Sequence, residues 1–347
     1  MKLVDLRSDT VTRPTAAMRE AMAAAALGDD VFGDDPSVNA LQQDLAARLG
    51  FEAALFMASG TQGNLCGLMS HCGRGDEYIV GQLAHTYRYE GGGAAVLGSI
   101  QPQPLAHAAD GTLPLAEIRA AIKPDDAHFA RTRLLALENT LGGKVMPLAY
   151  LEAATGLARA HGLATHLDGA RLFNAAVAGT PAGGDPFDAA RAITRHFDSV
   201  SVCFSKGLGA PVGSMLCGSR ALIERARRHR KMLGGGMRQV GLLAAAAHHA
   251  LDHHVARLAD DHANAARLAA GLAGLPGLTV EAPQTNIVFA DVAPELGAAR
   301  AAGLLAHLQA QGVLATGLYR LRFVTHLDVD AEGIDRAIAA IRSYFGD

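Results

Sequence analysis

The chain has 347 residues, half of them hydrophobic, with 39 glycines and no tryptophan. That supplies a sizeable core, and the length suggests two domains or one large α/β unit with an appendage. A net charge of −3 gives nucleic acid or an anionic membrane no strong electrostatic handle, and no uncharged apolar run reaches the roughly 18 residues of a membrane span.

The opening segment "MKLVDLRSDT" has no apolar stretch of the secretory kind. Cys66, Cys72, Cys203 and Cys217 form no CxxC pair and read as buried free thiols in a reducing compartment. A cytoplasmic location is the expectation. "RPTAAMREAMAAAALGDD" reads as a helix with Pro14 near its start and Gly28 at its end. "DPSVNALQQDLAARLG" reads as a second, with Ser37 as N-cap and Gly50 after it.

From residue 53 short apolar runs alternate with helical stretches: "AALFMAS", "EYIVG", "RLLALEN", "ATHLD", "SVSVCFS" and "GSMLCG". This rhythm predicts a mostly parallel sheet covered on both faces. After residue 219 it stops. "ALIERARRHRKML" is a basic helix, and the pattern from Gln239 to Gly274 predicts one very long helix, straight or kinked. A smaller α+β segment follows, with "LTVEA", "NIVFADV" and "RLRFVTH" as strands. The domain boundary is expected near residue 250, giving a large domain over 1–250 and a small one over 251–347.

Ligands of parallel α/β sheets bind outside the carboxyl ends of the strands. The polar residues just after the apolar runs are Ser59-Gly60-Thr61, His85, Glu138-Asn139, Asp168 through Arg171, and Ser205-Lys206. They are far apart in sequence but would gather on one sheet edge. No GxGxxG or GxxxxGK[ST] loop is present. "SGTQGN" is a strand-to-helix turn whose backbone N–H groups would suit a phosphate, though small residues also make ordinary caps. Asp168 could be a helix cap, or an acid that keeps a ring nitrogen protonated. An acid on one strand and a lysine, Lys206, beyond it is the arrangement used for pyridoxal phosphate.

The segments "LRSDTVTRPT", "GDDVFGDDPSVNALQ", "SGTQGN", "ALENT", "HLDGARLFNA", "SVSVCFSKGLGAPVGSMLCG", "RKMLGGGMRQVG" and "RLRFVTHLDV" together resemble the low-specificity L-threonine aldolases. The resemblance runs in order from about residue 3 to the C-terminus. It implies a fold type I, aminotransferase-like α/β architecture: a mostly parallel seven-stranded sheet plus a smaller α+β C-terminal domain. It implies pyridoxal 5'-phosphate held by Lys206 as a Schiff base, with Asp168 on the pyridine nitrogen and His85 against the ring. Gly60, Thr61 and Ser205 would hold the phosphate. Arg171 would lie near the phenolic oxygen and the substrate carboxylate, which Ser8 and Arg322 would bind. His128 would lie near the substrate hydroxyl, and His85 or His128 would be the base. Two subunits sharing their sites are implied, with Lys231 and Arg238 reaching a neighbour's cofactor, as a homodimer or homotetramer.

The implied reaction cleaves threonine and allo-threonine to glycine and acetaldehyde, with an amino acid as the small-molecule partner. A β-eliminating lyase and a cofactor-binding protein without turnover are the alternatives. Plain structural readings stay open for several residues. Ser8 could cap a turn, and His128 could be a loop histidine. Arg322 alternates with Leu321 and Phe323, so it faces away from an apolar surface. His249 and His253 have the i,i+4 spacing of a metal pair, but without a third ligand they read as a solvated face, so no metal is expected.

Overall fold

The computed structural model describes residues 3–317 and 320–346. A seven-stranded sheet carries the larger part. Its strands are β1 (Ala53–Met57), β2 (Asp76–Gly81), β3 (Gln101–Leu105), β4 (Arg131–Glu138), β5 (Ala164–Gly169), β6 (Ser199–Cys203) and β7 (Ser214–Gly218). The spatial order is β1-β7-β6-β5-β4-β2-β3, and β7 alone runs against its neighbours. The carboxyl ends of β1, β2, β4, β5 and β6 therefore share one edge. β6 and β7 are buried throughout, as expected for strands covered on both faces. β3, "QPQPL", was not anticipated as a strand. Pro102 and Pro104 cannot donate to a ladder, and the edge position makes that tolerable.

Helix α1 (Pro36–Leu49) is capped by Asp35, whose Oδ1 accepts from the N–H groups of Ser37 and Val38. Ser37, the expected cap, instead donates its hydroxyl to the Ala26 carbonyl at 2.8 Å. The expected long helix is two helices, α2 (Gly241–His253) and α3 (Leu258–Leu272). The break at 254–257 has a local use. His254 Nδ1 donates to the Leu208 carbonyl at 2.8 Å, and Arg257 reaches the Gly207 carbonyl. Both brace the turn that follows Lys206.

Two large hydrophobic clusters dominate the core, and two smaller ones, around Tyr78 and around Leu216, pack on the large sheet. Of the large pair, one spans the large sheet and its helices as far as Leu258; the other joins Ala265 and later residues to Val4 and Leu6. The second lies against an antiparallel sheet of β8 (Leu278–Val280), β9 (Ile287–Val292) and β10 (Arg320–Val324), with β9 in the centre. The N-terminal Val4–Asp5 pairs in parallel with Val313–Leu314. The Val324 N–H reaches the Leu6 carbonyl at 2.8 Å. This anchorage leads residues 7–12 past the edge where the large strands end.

Candidate active site

The helix Gly60–His71 starts at the end of β1. Ser59 caps it, its Oγ accepting from Gln62 N–H at 3.2 Å. The N–H groups of Gly60 and Thr61 have no partner among the described residues and point out of a helix N-terminus, the polarity that suits an anion. A Cβ at Gly60 would lie 2.6 Å from Cys203 Sγ. Glycine is what lets this helix end press against β6, three residues before Lys206.

Lys206 sits in the bend after β6, partly exposed. Its carbonyl accepts from Thr12 Oγ1 at 3.1 Å and from Gly209 N–H at 2.8 Å. Its Nζ has no hydrogen-bond or ion-pair partner among the described residues. Ser205, beside it, has a hydroxyl with no partner among them. Asp168 ends β5 with its carboxylate buried; Oδ2 accepts from Asn64 Nδ2 at 2.8 Å and Oδ1 from Ala170 N–H at 3.0 Å. Glu138 pairs in register with Asp168 on the neighbouring strand, so the two carboxyl groups share a sheet face. Burial first, then the Asp168 charge, push the Glu138 carboxyl up to about 7. Glu138 Oε2 accepts from the backbone N–H of His85 at 2.7 Å. The His85 ring bonds through Nδ1 to Glu90 Oε1 at 2.8 Å. That bond raises the affinity of the ring for a proton, against the cost of burial.

Within reach of the Lys206 charge, Arg171 grips Asp9 with two bonds, Nε to Oδ2 at 2.8 Å and Nη2 to Oδ1 at 2.6 Å. Asn286 Nδ2 also donates to Asp9, at 3.2 Å. Burial alone would raise the Asp9 carboxyl; Arg171, then Lys206 and Asn286, outweigh it and hold it well below the usual range. Arg322, on β10, has no carboxylate partner among the described residues; its Nη1 reaches the Arg7 carbonyl, at 3.3 Å. Leu321 and Phe323 beside it are fully buried, as the alternation predicts. Ser8 Oγ accepts from the N–H and hydroxyl of Thr10 and lies 3.4 Å from Asp9 Oδ1, so it does cap a turn, next to the Arg171–Asp9 pair.

The chain thus brings Gly60, Thr61, His85, Asp168, Arg171, Ser205 and Lys206 to one edge, with Ser8 and Arg322 joining from the N-terminal segment and β10. It does not bring His128. That ring is 88% exposed, bonded to Asp126, and precedes β4. Glu138 is at the far end of that eight-residue strand, about 25 Å away at the usual rise per residue. His128 therefore cannot serve the site of its own chain. Lys231 is exposed in the last turn of helix Arg220–Met232 and lies over Gly236. The turn after it packs on the helix start, since a Cβ at Gly235 would collide with Gln62. Arg238 is paired with Asp29 at 2.8 Å. Sequence reasoning assigned no role to Asp9, Asn64, Glu90, Glu138 or His166. The available signal was a polar residue inside a buried motif, which needs a partner.

Known proteins share the sequence and fold of this chain. The model of the beta-eliminating lyase family matches residues 5–295. The low specificity L-threonine aldolase of Escherichia coli O157:H7 is 54% identical over 342 residues, covering 99% of both chains. Low-specificity L-threonine aldolase 1 of Arabidopsis thaliana is 42% identical over 353 residues, 99% of this chain and 96% of that one. Among solved structures, the threonine aldolase of Leishmania major superposes with a TM-score of 0.82 at 22% identity, over 99% of this chain and 100% of its own. The serine palmitoyltransferase of Sphingomonas wittichii gives 0.76 at 20% identity, over 99% and 87%. Their fold is that of this chain. The chain accordingly belongs to the beta-eliminating lyase family, among its low-specificity L-threonine aldolases.

Proposed function

We propose that this chain is a pyridoxal-phosphate-dependent aldolase that cleaves L-threonine and L-allo-threonine, and other β-hydroxy-α-amino acids, to glycine and an aldehyde. The observation that carries the reading is the unpaired Lys206 Nζ on the edge that also holds the buried Asp168 carboxylate and the unpartnered N–H groups of Gly60 and Thr61. These residues fit the cofactor: a free amine for its aldehyde, a carboxylate for its ring nitrogen, a helix N-terminus for its phosphate. Ser205 would share the phosphate, His85 would lie against the ring, and Arg171 would lie near the phenolic oxygen. When bound, pyridoxal phosphate supplies an electron-withdrawing ring conjugated to the substrate α-carbon.

The protein's own groups do the rest. Arg322, charged and without a carboxylate partner among the described residues, binds the substrate carboxylate with help from Ser8, and so fixes which bond at the α-carbon is aligned for cleavage. Guanidinium suits this task because it meets a carboxylate as a planar fork. Asp168 would be the carboxyl that faces the ring nitrogen and favours a proton there. His85, with Nδ1–H given to Glu90, keeps a lone pair on Nε2 for the hydroxyl proton. A role for His128 requires a neighbouring subunit, so this reading goes with assembly into a dimer or tetramer. Lys231 and Arg238 are the residues proposed to face a second copy. A cytoplasmic location goes with the same reading.

The test is a coupled assay for acetaldehyde from both threonine diastereomers, with and without added pyridoxal phosphate. Glycine and acetaldehyde in equal amounts are expected, from both diastereomers and dependent on the cofactor. Borohydride should fix cofactor to the peptide containing Lys206, and Lys206→Ala should reduce turnover to background. Ammonia in place of aldehyde, or label on another lysine, overturns the reading.

A further inference from the structure

Behind Asp168 runs a buried line of polar side chains that the reaction does not use. Asn64 Nδ2 donates to Asp168 Oδ2 and to Glu90 Oε1, each at 2.8 Å. Asn64 Oδ1 meets His166 Nε2 at 3.2 Å, His166 Nδ1 meets Ser199 Oγ at 2.8 Å, and Ser199 Oγ meets His71 Nε2 at 2.7 Å. Asn64, His166 and Ser199 are fully or almost fully buried; His71 is partly exposed at the end of its helix.

The chemistry of each group fixes the direction of every bond. Two carboxylates can only accept, so the Asn64 amide nitrogen faces them and its oxygen faces His166. His166 must then carry its hydrogen on Nε2. Burial first, and His71 second, hold the His166 ring neutral, down to about 3, so Nδ1 has a lone pair and accepts from the serine hydroxyl. Ser199 has spent its one hydrogen, so His71 must donate from Nε2. Burial likewise keeps His71 neutral, down to about 4. Every hydrogen in the line points toward Asp168.

We propose that Asn64, His166, Ser199 and His71 form a one-directional hydrogen-bond chain that positions Asp168 as a pure acceptor for the cofactor ring nitrogen. The inference rests on the pyridoxal-phosphate reading above. Asn64 is the contact; His166, Ser199 and His71 act through it as positioning residues. The chain prevents the amide of Asn64 from turning, because a reversed amide would aim its oxygen at two carboxylates and its nitrogen at a donor. It also disfavours a proton on Asp168 Oδ2, where the Asn64 N–H already sits. Without it the ring proton is shared more toward Asp168, the ring is less positive, and a proton on the Lys206 nitrogen is repelled less.

The test is the visible-absorbance pH titration of the cofactor-loaded enzyme, recorded without substrate, for wild type, His166→Leu and His166→Gln. Glutamine has an NH2 donor at one end of its amide and a carbonyl acceptor at the other, so it can keep both ends of the link. The other titratable groups that couple to Asp168 from neighbouring elements, His85, Glu90, Glu138 and Cys203, are left in place in all three. The leucine variant should raise the titration midpoint by about half a pH unit or more, and the glutamine variant should return it toward wild type. If His166→Leu does not fold, Ser199→Ala removes one hydroxyl only and should move the midpoint in the same direction by less. A wild type that loads on Lys206 while the foldable variants leave its midpoint unmoved, or leucine and glutamine behaving alike, overturns the chain alone. A wild type that does not load on Lys206 overturns the cofactor reading and the chain with it.

Discussion

Two arginines face the same cleft and are held differently. Arg171 is clamped by the buried carboxylate of Asp9 through two bonds, and its guanidinium holds its proton more tightly than usual because Asp9 outweighs the cost of burial. Among the described residues, the Arg322 guanidinium has a single weak hydrogen bond, to a backbone carbonyl. Burial first, and the nearby Arg171 charge second, make its protonated form less favourable than usual. One charge is spent within the fold and the other is held in reserve. A partly buried cation without a bonded anion is costly to keep, so its persistence near Arg171 and Asp9 reads as preparation for an anionic ligand. Arg171 ties the N-terminal segment to β5; Arg322 brings in the small sheet.

The contrast can be broken by removing each arginine in turn. Arg322→Leu should leave the melting temperature of the cofactor-free protein close to wild type, because no carboxylate loses its partner. It should lower kcat/KM for threonine by about 30-fold to several thousand-fold, the equivalent of 2–5 kcal/mol for losing one side of a charge pair. Arg171→Leu should do the reverse in stability. It leaves Asp9 buried with only the neutral donors Asn286 and Ser8 and the more distant Lys206 charge, and breaking such a pair costs about 3–5 kcal/mol. Melting curves and substrate kinetics on both variants decide. A stable Arg171→Leu with a raised KM, next to an Arg322→Leu with normal kinetics, would exchange the two roles.

Asp168→Asn sharpens the comparison from the opposite charge. An amide keeps the shape but cannot balance a protonated ring nitrogen as a carboxylate does. Turnover should fall at least about a hundredfold, the scale of losing one preorganised electrostatic contact, while KM, which Arg322 governs, changes little. A variant with near-normal kcat would remove Asp168 from the ring.

Much of this site was legible because strand ends are legible. Apolar runs bounded by small residues located five of the carboxyl-end positions, and the alternation around Arg322 gave its direction correctly. Three features were hidden for identifiable reasons. β3 has prolines at alternate positions, which conceal a strand from propensity but suit an edge. The break between α2 and α3 is set by carbonyls of the Lys206 turn, about 50 residues earlier in sequence. Asn64 meets Asp168 across 104 residues, a contact no local pattern encodes. His128 is different in kind: a residue that precedes a parallel strand starts at the opposite edge from one that follows it, and "DAHFARTR" stands before β4.

The smallest expected effect concerns Glu138, the carboxyl that shares a face with Asp168. Its folded value of about 7 lies well above the ordinary 4.5, so the folded chain binds this proton more tightly than the unfolded one. Its contribution to stability is complete below about pH 4.5 and is lost as pH rises through about 7. Glu138→Gln keeps an oxygen for the His85 N–H and removes the titration. The melting temperature of the cofactor-free wild type should therefore decline between pH 5 and 7.5 more than that of the variant, with Arg322→Leu serving as a control that retains the slope. In turnover, an ionised Glu138 beside His85 favours a proton-accepting site, so activity should rise through this window. The variant should flatten that limb while losing about tenfold or less at neutral pH, the low end of what one acid–base group contributes. Equal slopes in both melting series would mean that Glu138 is ionised throughout. An unchanged kinetic limb with flattened melting would assign the working proton to His85 alone.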